Sequence, residues 1–167
     1  ARMGEIAFTP EREIRVNVTC FDHAPIERID ILNGRDLIAT HRPFTADDLG
    51  DRIRIIWQGA EYRGRGRQTR WEGDVRLNRA TIRRFGKINA WNHERPFHQD
   101  GPSRVVFDAI TTGNFGGCDL WLDGGGGEIE VTTTLAKARL ALGDIGIEDH
   151  VVEAGGLDRK LRIYRLP

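Results

Sequence analysis

The chain has 167 residues, 25 basic and 25 acidic side chains, and 39% hydrophobic residues. Its length fits one domain, since domains run at about 100–200 residues, and no apolar stretch reaches the ~20 residues that span a bilayer. Zero net charge argues against general nucleic-acid binding, which goes with strongly basic domains.

Period two dominates the chain. Ile14, Val16, Val18 and Cys20 alternate with Arg15, Asn17 and Thr19 and predict a half-buried strand. Ile29 and Ile31 run into Asn33-Gly34, and Leu37-Ile38-Ala39 follows. Asn-Gly between two apolar runs is a hairpin signal, because both turn residues need positive φ. Thr45 reads as the N-cap of a single helical turn over Ala46-Asp47-Asp48.

Ile53, Ile55 and Trp57 alternate next, and Val75 and Leu77 follow a predicted turn at Glu72-Gly73. Val105, Phe107 and Ala109 form a strand, and Thr111 to Gly117 reads as a turn region. Leu120 and Leu122 lead to Gly124 through Gly127, a predicted flexible hairpin turn before Ile129, Val131 and Thr133. Ala138, Leu140 and Leu142 form one run, and Leu161 and Ile163 the last. Residues 89–103 and 144–158 lack a pattern and are expected to be loops. About ten short strands with turns every ~8–12 residues predict one antiparallel β-sandwich, Ig-like or jelly-roll-like, with almost no helix. No linker divides residues 1–167.

The charges are unevenly spread. Asp51 to Arg84 holds ten arginines against four acids, and Asp100 to Asp158 holds eleven acids against three bases. The favoured expectation is that the two segments neutralise each other in the fold. Cys20 and Cys118 sit in apolar alternations and are expected to be buried free thiols.

Candidate chemistry is sparse. His93, Glu94, His98 and Asp100 offer metal-ligand types, but their spacing fits no metal motif and Pro96 breaks a regular helix. No nucleophile elbow occurs, and Ser103 is the one serine. The glycine run at 124–127 precedes an acidic strand and not a helix, so it is not a phosphate loop. No catalytic residue, metal site or cofactor is assigned.

The segment from Tyr62 to Trp71 is the most suggestive. If extended, it would project Arg63, Arg65 and Arg67 from one face, with Arg70 beyond them, toward an anion or the acidic surface of another domain. A different reading uses the tryptophans as a sugar-stacking platform. Trp121 shares a face with Asp119 and Asp123, opposite Leu120 and Leu122, which makes it the best exposed candidate. Trp71 is the second, Trp91 stays open, and Trp57 belongs to the core.

Several of these segments together carry a resemblance. The run from Ala24 to Ile38, the run from Trp57 to Arg67, Arg70-Trp71-Glu72-Gly73, and Ile110-Thr111-Thr112-Gly113-Asn114 are similar to the C-terminal all-β region of a family of large bacterial proteins. That family is related to the PHP (polymerase and histidinol phosphatase) metal-dependent phosphoesterases. Ala1-Arg2-Met3-Gly4 looks like the junction with an upstream part. The resemblance implies an excised, non-catalytic accessory domain whose partner is its own upstream catalytic domain, where the metal ligands would lie. Composition and charge separately predict a soluble protein without membrane or nucleic-acid partners, and the arginine segment or the tryptophans would give it an anion or a sugar as a further ligand.

Overall fold

The computed structural model describes residues 6, 8, 10–13, 15–34 and 36–167, and the chain divides into two units, Ala1–Pro43 and Phe44–Pro167. In the first unit, β1 (Ile29–Asn33) and β2 (Asp36–His41) form an antiparallel hairpin. Asn33 pairs with Asp36, and Gly34 takes a φ of 63°; the hairpin forms where the Asn-Gly signal stands, but Asn33 ends the strand and does not share the positive φ expected of both residues. The strand expected from Ile14 to Cys20 is not formed. Ile14 lies outside the described residues, and residues 15–20 are exposed without strand pairing. Alternation makes a strand only where a neighbour takes up the backbone donors and acceptors. The junction at residues 1–4 also lies outside the described residues.

The second unit is a β-sandwich of two five-stranded antiparallel sheets. One orders β10 (Lys137–Ala141), β9 (Glu128–Thr133), β4 (Thr69–Asn78), β7 (Arg104–Thr111) and β6 (Phe97–Gln99). The other orders β11 (His150–Glu153), β12 (Leu157–Leu166), β3 (Arg52–Ala60), β8 (Phe115–Asp123) and β5 (Thr81–Ile88). A single 3-10 turn at Ala46–Asp48 leads in. There the Asp48 carboxylate accepts the Thr45 N–H and hydroxyl, both at 2.8 Å, and these bonds hold its pKa low.

Alternation places the core. Ile53, Ile55 and Trp57 of β3 face Val105 and Phe107 of β7 and Val75 of β4, all essentially buried. Trp57 stacks on Phe107 with centroids 4.3 Å apart, and Phe97 meets both rings at an angle. Such rings each bury ~150–250 Å² and dominate core energetics. A smaller cluster of Ile56, Tyr164 and Leu166 lies on the other side of the β3–β12 pair, with Phe44 and Ile88 packed on it.

Several sequence expectations need correction. Glu72-Gly73 lies inside β4 and is not a turn. The glycine run crosses from β8 in one sheet to β9 in the other and is not a hairpin. Strand β5 was hidden because a bulge between Ile82 and Arg84 breaks its alternation. The expected loops hold β6 and β11, short strands at sheet edges.

The cysteines also differ from expectation: Cys118 is buried, whereas Cys20 is exposed, and both are free. Burial pushes the Cys118 thiol up, and the neighbouring Asp119 charge adds to this. Native protein should therefore release one thiol to an aromatic disulfide reagent, and the second only after denaturation. Two fast-reacting thiols in the native state would contradict this placement.

Candidate functional site

The second unit pairs most of its arginines internally. On the outer face of the first sheet, Arg70 donates through Nε and Nη2 to Asp108, both at 2.9 Å. Arg95 reaches the same carboxylate at 2.7 Å, and Arg104 bonds Asp74 and Asp100. The Arg70 bonds, with Arg95 beside them, hold the Asp108 pKa low against the opposing effect of burial. On the outer face of the second sheet, Asp119 takes Arg52 at 2.5 Å and Arg54 at 2.7 and 2.8 Å. Burial would raise its pKa, but the bonds from Arg54 and Arg52 win and lower it. Arg52, Arg54, Arg70 and Arg83 of the basic segment 51–84 thus meet acids of the segment 100–158. The expected neutralisation is only partial, because Glu128 and Glu130 pair with Arg139 and Lys137 of their own segment, and Asp149 with Arg162.

The loop between β3 and β4, residues 61–68, is the exception. Its base is closed by Glu61 N–H on the Arg67 carbonyl at 3.4 Å and by Arg159 on the Glu61 carboxylate at 2.5 Å. Beyond that base the backbone bends through Gly64 and Gly66, at φ 110° and 75°, so the extended row expected for Arg63, Arg65 and Arg67 is not formed. A bent tip carries them instead. All three are exposed, and no described residue bonds or pairs with their side chains. Arg70 is not part of this group, because Asp108 and Glu72 engage it.

The expected aromatic platform fails at both positions. Trp71 is fully buried, and its indole N–H donates to Thr111 Oγ1 at 2.9 Å. That hydroxyl in turn donates to the Gly59 carbonyl at 2.7 Å. Trp121 is half-buried, with the Arg84 and Arg52 guanidinium carbons 4.3 and 5.0 Å from its ring centroid. A ring already occupied by cations is a poor stacking surface for a sugar. Trp91, which alternation left open, is 61% exposed.

His93 and His98 are exposed, and among the described residues no three His, Cys, Asp or Glu side chains gather. Sequence reasoning missed one feature, a cleft where Trp57, Trp91, Arg95 and Asp108 meet. Its residues come from β3, β5, β6, β7, β8 and the 89–96 loop, and no local pattern joins them. Compared with known proteins, the chain matches no family model, no curated protein and no solved structure.

Proposed function

We propose that this chain is a non-catalytic accessory domain of a larger PHP-like metal-dependent hydrolase, docking through the arginine tip of residues 61–68 on an acidic surface of the upstream catalytic domain. The parent protein rests on the sequence resemblance alone. The docking mode rests on one observation: the Arg63, Arg65 and Arg67 side chains stand exposed without partners, in a unit where Arg52, Arg54, Arg70, Arg95, Arg104 and Arg162 each bond a carboxylate. A guanidinium fork matches a carboxylate in a bidentate way, and three on one bent tip suit a cluster of acids.

The test is binding of this chain to the N-terminal part of its parent protein, across a salt series. Wild-type affinity should fall with salt, and R63S/R65S/R67S should weaken it about tenfold, at roughly 0.2–1 kcal/mol for each exposed ion pair. An affinity indifferent to both salt and the triple substitution would sink the docking mode.

A further inference from the structure

Trp57 carries a donor that the fold leaves unspent. The residue is fully buried on Phe107, and its indole N–H has no acceptor among the described residues. The nitrogen sits against Gly116 of β8, where a Cβ would stand 2.9 Å from it. Arg95 adds a second unspent donor, because its Nη1 serves Asp108 while its buried Nε serves nothing. Trp57, Gly116 and Arg95 all line one cleft, with the exposed Trp91 among the residues around it. Buried polar groups are almost always bonded, so two orphans in one cleft call for an acceptor from outside the chain.

The shape of the space limits that acceptor. The cleft has a volume of about 20 Å³, which holds one oxygen-sized group, a water included. A ring does not enter it and would lie outside, against the exposed Trp91. Charge around the cleft is balanced, since Arg70 and Arg95 share Asp108 and Arg70 also meets Glu72. A neutral ligand therefore suits the site better than an anion.

We propose that a neutral sugar binds at the mouth of this cleft. The ring lays its C–H face on Trp91 and sends one oxygen down to the Trp57 N–H and the Arg95 Nε–H. Asn92, at the same cleft, is placed to meet a further hydroxyl. This site is distinct from the arginine tip and does not depend on the docking proposal.

The four indole N–H resonances of ¹⁵N-labelled protein test it directly. The probes are methyl glycosides of glucose, galactose, mannose and N-acetylglucosamine, and the corresponding tetrasaccharides. With at least one probe, the Trp57 and Trp91 resonances should shift together and saturate. The Trp71 resonance, its N–H spent on Thr111, should stay in place. Trp91→Ala, at an exposed position with little bearing on the fold, should weaken binding about tenfold. An unmoved Trp57 resonance at saturating millimolar concentrations of every probe would overturn the proposal and leave water as the occupant. A uniform drift of all four resonances, or binding that survives Trp91→Ala, would overturn it as well.

Discussion

Replacing Gly73 with alanine is expected to cost about 3 kcal/mol or more, at or above the ~1–3 kcal/mol typical of overpacking. Gly73 sits in β4 between Phe107 on β7 and Thr133 on β9. A Cβ there would lie 1.8 Å from the Thr132 carbonyl oxygen and 2.9 Å from the Thr133 Cα. Both obstacles are backbone, so no side-chain rotation relieves them, and the β4–β9 ladder must separate. Gly125 is the control, since an added Cβ there meets nothing within 4 Å and its φ is not left-handed. Gly125→Ala should stay within about 0.5 kcal/mol of wild type in urea unfolding. Equal midpoints for the two variants would show that β4 and β9 do not approach as closely as described.

Removing the Asp119 carboxylate is the second large effect. Its side chain is 7% exposed, and it holds Arg52 and Arg54, the first of them against the Trp121 ring. Asp119→Ala takes away the carboxylate that both guanidinium groups share. Breaking a fully buried pair costs about 3–5 kcal/mol. Arg52 and Arg54 keep 27% and 17% exposure, which brings the expected loss to roughly 2–3 kcal/mol.

The pH dependence follows from the lowered pKa. A carboxyl depressed in the folded state stabilises above its unfolded value, near 3.8, and that stabilisation is lost as pH falls through the folded value. The gap between wild type and Asp119→Ala should thus be full at neutral pH and shrink below pH ~4. A gap that widens on acidification would contradict the pairing. Asp108, lowered mainly by Arg70, acts in the same acidic window.

These two residues also show what the sequence makes legible. The core of the sandwich was readable because Ile53, Ile55 and Trp57, or Ile129 and Val131, alternate without interruption. Strand β5 was not, because its bulge shifts Arg83 out of register and Arg84, Phe85 and Gly86 follow on the wrong parity. Gly73 read as turn punctuation, yet it marks a close backbone approach inside a strand, and a glycine alone does not say which. The Ile14 to Cys20 alternation had the period of a strand but no ladder partner, which only tertiary structure supplies.

The candidate sites were less legible still. Arg63, Arg65 and Arg67 stood out in the sequence, but the bend through Gly64 and Gly66 reshapes a row into a tip. Arg70 belongs with Asp108 across a strand pair, 38 residues away. Trp71 shares the inward parity of Val75 and Leu77 and was missed because Glu72-Gly73 read as a turn. Trp121 was misjudged because parity shows which face a side chain takes, and not that Arg52 and Arg84 sit on that face. The unspent Trp57 N–H depends on Gly116 standing opposite it, a pairing across β3 and β8.

The most direct measurement for the accessory-domain proposal is the full reading frame that encodes this chain. The account predicts several hundred residues upstream of Ala1, carrying the His- and Asp-rich metal motifs of a PHP-like hydrolase. A frame that opens within a few residues of Ala1, or an upstream region without such motifs, would contradict it. The arginine tip and the Trp91 cleft would then have to be explained as binding sites of a self-contained protein.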